Sequence, residues 1–203
     1  MGHRESLLAA ARDLVQDQGY ANVTARDLVA ASGTNLASIG YHFGSKDDLL
    51  QEAINGLLDE WNEHLRGIAM GDPDAAPTDR VAASWRALLS GLPARRALFT
   101  AELEATARAA RSEPLRQRVA AHLEQTRELY AEAVTAALGE EGRKQGVDPR
   151  AVASFLIAVG DGLLLQHLID PDGAPSADEI AAALGAALPI AFAAPTAEPA
   201  QPQ

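Results

Sequence analysis

The stretch from Thr24 to Lys46, TARDLVAASGTNLASIGYHFGSK, constrains this chain more than any other. It holds two short helical patterns separated by Gly33. Thr24, with Asp27 three residues on, reads as the cap of the first helix, whose buried face is Leu28 and Val29. Gly33 suits a tight turn, and Asn35 can cap the second helix, which runs to about His42 or Phe43. A short helix, a glycine turn and a second helix with a small, polar outer face is how a protein offers a helix to the DNA major groove.

Around this segment the pattern is helical throughout. Leu7, Leu8, Ala11, Leu14 and Val15 recur at helical spacing and Gly19 ends that helix. Ser45 and Asp48 repeat the capping pattern and start a long fourth helix with Leu49, Leu50, Ala53, Ile54, Leu57, Leu58, Trp61, Leu65 and Ile68 on one face. Residues 71–77 form a loop, and helices are predicted at 78–91, 94–110, 113–138, 149–169 and 176–192. Asp148-Pro149 and the Ser176–Glu179 pair are start signals. No strand and no repeat stands out. The expected fold is all-α: an N-terminal three-helix helix-turn-helix head over 1–46, a helical body over 47–192, and a tail over 193–203 that Pro195, Pro199 and Pro202 mark as disordered.

Composition narrows the function. The 203 residues are 47% hydrophobic but only 4% aromatic, so Leu, Val, Ile and Ala build the core. The absence of cysteine excludes disulfides and thiolate metal sites. No secretory leader opens the chain and no uninterrupted apolar run approaches a membrane span, so the expectation is a cytoplasmic protein with no membrane partner. The net charge of -11 argues against bulk attraction to phosphate. Within the first fifty residues, Arg4, Arg12, Arg26 and Lys46 face Glu5, Asp13, Asp17, Asp27, Asp47 and Asp48. DNA affinity must then come from helix N-termini, hydroxyls and a few placed cations. Asp47 and Asp48 fit the first turn of the fourth helix, where the helix dipole favours them. The histidines lack metal-ligand spacing, and neither a phosphate loop nor a nucleophile elbow is present, so no catalytic residue, metal or cofactor is expected.

Residues 7–55 resemble the N-terminal domain of TetR-type (TetR/AcrR) transcriptional regulators. The likeness rests on Gly19-Tyr20, Val23-Thr24, Ala30-Ala31-Ser32-Gly33 and above all Tyr41-His42-Phe43-Gly44-Ser45-Lys46 leading into Asp48-Leu49-Leu50. Beyond residue 60 it is architectural, and takes in the 161–166 and 169–171 segments. The resemblance implies a homodimer whose third helices enter successive major grooves of palindromic operator DNA. It also implies a helical body that forms the dimer interface, here through the 149–169 and 176–192 helices, and encloses a pocket for a small-molecule effector whose binding releases repression.

Carried onto this chain, Ile39 and Phe43 form the inward side of the third helix. Ala37, Ser38 and Gly40 are expected to face out, small enough to approach base edges. Thr34 and Asn35 sit where a phosphate meets free backbone N–H groups. Tyr41, His42 and Lys46 resemble the family's phosphate-contacting set, while Thr24 and Arg26 add contacts from the second helix. Leu36 and Gly40 stand where relatives often carry a basic or polar residue and an aromatic, so readout is expected to lean on DNA shape.

Candidate effector-pocket residues are Trp61, Trp85, Leu89, Phe99, Glu102, Leu103, His122, Thr126, Tyr130, Phe155 and His167. His122, Thr126 and Tyr130 share one stripe and could orient an oxygenated, largely apolar molecule; a solvated face is the competing reading. The alternative function is a helical small-molecule-binding or adaptor protein with a vestigial reading head, suggested by the acidity and by Leu36 and Gly40.

Overall fold

The computed structural model describes residues 2–191 apart from 73 and 145. The expected tail over 193–203 lies outside the described residues. Among them the chain forms eight α-helices and one 3-10 turn, with no strand: α1 His3–Gln18, η1 Tyr20–Asn22, α2 Ala25–Ser32, α3 Leu36–Phe43, α4 Lys46–Met70, α5 Pro77–Ala109, α6 Glu113–Lys144, α7 Pro149–Ile169 and α8 Ala177–Ala191.

The start signals act as read. Thr24, Asn35 and Ser45 each accept a hydrogen bond from the backbone three residues on, so α2, α3 and α4 are all side-chain capped. Asp148 caps α7 with Pro149 behind it, and Ser176 and Glu179 exchange hydrogen bonds at the start of α8. Gly33 ends α2 at φ 66° and Gly44 ends α3 at φ 87°, backbone conformations that L side chains rarely adopt.

One boundary differs. The separate helices expected at 78–91 and 94–110 are one helix, α5, with Pro93 inside it. Proline removes one intrahelical hydrogen bond, and the packing of Leu88, Leu92, Leu98 and Phe99 into the core on both sides of it holds the helix together. The expected end near 138 matches Gly139, which breaks the helical backbone of α6 at φ 56°, ψ -144°.

The core runs continuously from head to body. Leu7 and Val15 of α1, Leu28 of α2, Ile39 of α3 and Leu49, Leu50 and Ile54 of α4 join Trp61, Leu88, Phe99, Leu164 and Leu168 in one cluster. α4 therefore belongs to both halves. A second, smaller cluster of Trp85, Leu163 and Ala177 ties α5, α7 and α8 together. Gly91 permits a close approach: a Cβ there would stand 2.7 Å from Cη2 of Trp61. Leu163, Leu164 and Leu168 of α7 are buried, whereas Phe155, Leu165 and Ile169 are exposed, Ile169 by 75%. With 21 residues and mean hydropathy 1.7, α7 is long and apolar enough to cross a membrane, which corrects the expectation that no segment approaches a span. In this fold it packs on α5 and α6.

Candidate nucleic-acid interface

The head is assembled so that one short helix stands proud of it. The Thr24 amide and hydroxyl both donate to Asp27 Oδ2, at 2.8 and 2.7 Å, and these bonds hold the Asp27 carboxyl below its usual range. That capping box fixes the entry to α2, and the left-handed Gly33 redirects the chain. Asn35 Oδ1 then accepts from the Ser38 amide at 3.1 Å and starts α3. Ile39 is buried and Phe43 packs against the core with the Arg4 guanidinium 5.0 Å from its ring centroid, so the inward side is as expected.

The outward face holds Leu36, Ala37, Gly40 and Tyr41, with Leu36 57% and Tyr41 86% exposed. His42 is half-buried between its neighbours, edge-on to Tyr41 at 4.8 Å. Ser38 is a correction. It is only 8% exposed and its hydroxyl turns inward, 3.3 Å from Asn35 Oδ1 and 3.5 Å from His3 Nδ1. The cause is helical geometry: Ser38 precedes Ile39 on a helix of eight residues, and the start of α1 closes over that side. Asn35 is exposed, and with Oδ1 held by Ser38 its Nδ2 has no partner among the described residues. Thr34 is partly buried, its hydroxyl 2.8 Å from that of Ser32.

Two cations differ in readiness. Arg26 is exposed with no hydrogen-bond or ion-pair partner among the described residues. Lys46 Nζ already donates to the Val23 carbonyl at 3.0 Å and lies 3.7 Å from Asp47 Oδ1, so it reaches outward only by leaving those partners.

Comparison with known proteins decides what this arrangement is. Residues 7–53 match the model of bacterial regulatory proteins of the tetR family, and residues 77–190, more than half the chain, match the C-terminal domain of BetI-type transcriptional repressors. The chain belongs to the TetR family of transcriptional regulators. Members of that family are DNA-binding regulators, not enzymes. The chain is similar to the HTH-type transcriptional repressor KstR2 of Rhodococcus jostii, 32% identical over 77 residues, 38% of either chain. It also resembles the HTH-type transcriptional dual regulator CecR of Shigella flexneri, 36% identical over 63 residues, 31% of this chain and 28% of the relative. The chain therefore aligns with well under half the length of these curated relatives. Among solved structures, the multidrug binding protein EbrR complexed with proflavin superposes with TM-score 0.66 at 25% identity, covering 91% of this chain and 99% of that one.

The TetR-type body divides the candidate effector residues. Phe99 is sealed in the core, and Trp61 and Trp85 are buried, Trp61 with Nε1 unpartnered and the Arg95 guanidinium 4.0 Å from its ring. Leu89 packs beside Trp85. His167 Nδ1 lies 2.9 Å from the Leu163 carbonyl. Leu103 and Phe155 are exposed on α5 and α7. The stripe His122, Thr126 and Tyr130 is half-buried and is not a solvated face. His122 lies 3.5 Å from Asp59, and burial lowers its imidazole although Asp59 pulls the other way. Glu102 of α5, Tyr130 of α6 and Asp161 of α7 are electrostatically linked. Burial, with Asp161 adding, pushes Glu102 up to about 7 and Tyr130 up to about 12; desolvation raises Asp161 as well, though it keeps solvent access.

Two open grooves lie elsewhere, at the junction of head and body. One, of about 500 Å³, runs between η1 and the 93–104 part of α5; the other, of about 410 Å³, lies between the start of α4 and the α5–α6 turn. No candidate effector residue lines either. The second holds residues that sequence reasoning missed. Arg108 reaches both Tyr20 and Asp47, and Arg118 pairs with Asp48. Those partners are far apart in sequence, and no local pattern joins them.

Proposed function

We propose that this TetR-family regulator is a homodimeric repressor that binds palindromic operator DNA and is released by a small-molecule effector. The observation that carries the DNA reading is the outer face of α3. Leu36, Ala37, Gly40 and Tyr41 stand exposed on a helix held by a buried Ile39 and a capped N-terminus, with an exposed Arg26 on the preceding helix. Small residues let the helix sit deep in the groove, while Tyr41, His42, Asn35, Thr34, Thr24 and Arg26 are the groups for backbone contacts. Few hydrogen-bonding side chains face the bases, so specificity rests largely on DNA shape.

The apolar outer face of α7, with Phe155, Leu165 and Ile169, supports a symmetric partner packing there and on α8. Half-buried polar groups on the packed helices α5 and α6, namely Glu102, His122 and Tyr130, with the Asp161 carboxyl close enough to raise Glu102 and Tyr130, support an effector site in the body. The structural relative complexed with proflavin makes a ligand in such a body chemically reasonable. The route from body to head is the set of guanidinium contacts on Tyr20, Asp47 and Asp48, through which a shift of the α5–α6 turn moves α4 and changes the spacing of the two heads. Such a protein works in the cytoplasm.

The test is selection of binding sequences from a random duplex pool, followed by fluorescence anisotropy of the selected duplex over a range of salt. A palindrome with half-sites about one helical turn apart, bound by a dimer, is expected. No sequence-preferring binding would favour the rival reading of a ligand-binding protein with a vestigial head.

A further inference from the structure

The first turn of α1 touches the recognition helix. His3 Nδ1 lies 3.5 Å from the hydroxyl of Ser38, the inward-turned residue of α3, and the imidazole itself is exposed. Arg4, next along, is engaged elsewhere, by Glu52 at 2.6 Å and by the Phe43 ring, and so fixes the start of α1 against both α3 and α4. Glu5 is occupied by the Gly2 amide at 3.0 Å. Among the described residues no acid pairs with His3.

We infer that His3 is a DNA-backbone contact contributed by α1, placed by Ser38 on the flank of the recognition helix. The inference rests on the reading of α3 as the groove-inserted helix. A helix with its side chains is about 10–12 Å across and the major groove about 12 Å wide, so the groove is filled and its walls are phosphate. A side chain seated against the flank of α3 therefore stands at a phosphate wall when α3 is in the groove. Turning Nδ1 toward Ser38 leaves Nε2 as the outer polar atom of the ring. Ser38 has one hydroxyl proton, directed to Asn35 Oδ1; with both ring nitrogens of His3 protonated, Nδ1–H donates to Ser38 Oγ and Nε2–H points away from the protein as a second donor. A phosphate oxygen accepts it. Ser38 thus acts through His3 and Asn35 as a positioning residue, not as a reader.

The test is a charge series at position 3 in the full-length protein, read by anisotropy on the selected duplex between about 50 and 200 mM salt. Wild type, His3→Gln, His3→Arg and His3→Glu are compared, with thermal unfolding as control. Because the ring is exposed, the unfolding temperatures are expected to agree. Affinity is expected to run Arg above His, His above Gln and Gln above Glu, with about a tenfold loss for Glu. The salt slope of His3→Arg should steepen by about one per protomer relative to His3→Gln. Wild type binding the duplex while the four proteins share one affinity and one slope would overturn the inference and leave the α3 reading standing. Wild type failing to bind any duplex would overturn both.

Discussion

Arg108 on α5 places Nη2 2.7 Å from Oδ2 of Asp47, in the first turn of α4, across 61 residues of sequence. The same guanidinium also bonds the Tyr20 hydroxyl and lies 4.8 Å from that ring's centroid. One side chain of α5 therefore holds both η1 of the head and the start of α4. Both partners of the ion pair are nearly half exposed, so its strength is modest after solvent screening. A double-mutant cycle of Arg108→Ala and Asp47→Ala in urea unfolding is expected to give about 0.5–1 kcal/mol of coupling. A coupling indistinguishable from zero would show that this ion pair adds nothing to the joint of head and body.

Tyr20 supplies a pH signature of the same contact. Burial first, then Asp47, pushes its phenol from 10.0 up to about 12, against the opposing pull of Arg108. A raised folded value means that the neutral phenol is favoured by folding. Its contribution is fully present below pH 10 and is lost as pH rises through about 12. For Asp47, burial acts upward but hydrogen bonds from Arg108 and Tyr20 outweigh it, so the carboxyl is depressed and its contribution is lost as pH falls. Ultraviolet titration of wild type against Tyr20→Phe should show one phenol fewer ionising late, and the stability difference should narrow above pH 10. A Tyr20 phenol that ionises near its ordinary value of 10.0 would contradict this.

How much of this could be read from the sequence follows from the range of each interaction. The caps at Thr24, Asn35, Ser45, Asp148 and Ser176 and the turn at Gly33 depend on neighbours within four residues, and all were legible. Pro93 misled because a long-range core overrides a local breaker. Ser38 misled for the opposite reason: helical position alone leaves it outside, and only the arrival of α1 covers it. Arg108, Arg118 and His3 carry no local signature.

Glu102 makes a second pH prediction. With its folded value raised to about 7 from 4.5, chiefly by burial, the carboxyl costs stability once ionised. The sign follows: the penalty is absent below pH 4.5 and grows as pH rises through 7. Glu102→Gln is therefore expected to be more stable than wild type at pH 8, by about 3 kcal/mol at most, and equal to it near pH 4. Urea midpoints at the two pH values check this; equal stability at pH 8 would mean that the carboxylate is solvated.

Within the head, folding and binding separate at two positions. Asn35 caps α3, so Asn35→Ala is expected to lose about 1 kcal/mol of stability along with duplex affinity. Tyr41 is 86% exposed, so Tyr41→Phe should leave unfolding unchanged and weaken binding about fivefold through one lost phosphate contact. Thermal unfolding and anisotropy on the same preparations distinguish the two. A Tyr41→Phe protein that binds like wild type would remove the hydroxyl from the interface.

The outer face of α7 sets the last expectation. Leu165 and Ile169 lie four residues apart on the same exposed side, and Phe155 extends that stripe toward the start of the helix. All three are exposed among the described residues, Ile169 most, so a charge placed there costs less in an isolated protomer than at a buried position. Between two protomers the same charge is buried without a partner and costs several kcal/mol. Leu165→Glu combined with Ile169→Glu is therefore expected to yield a folded monomer by light scattering, with unchanged helicity. Its duplex affinity should fall by orders of magnitude, because two linked heads gain from a shared effective concentration that a single head lacks. A doubly substituted protein that stays dimeric would place the interface on another face.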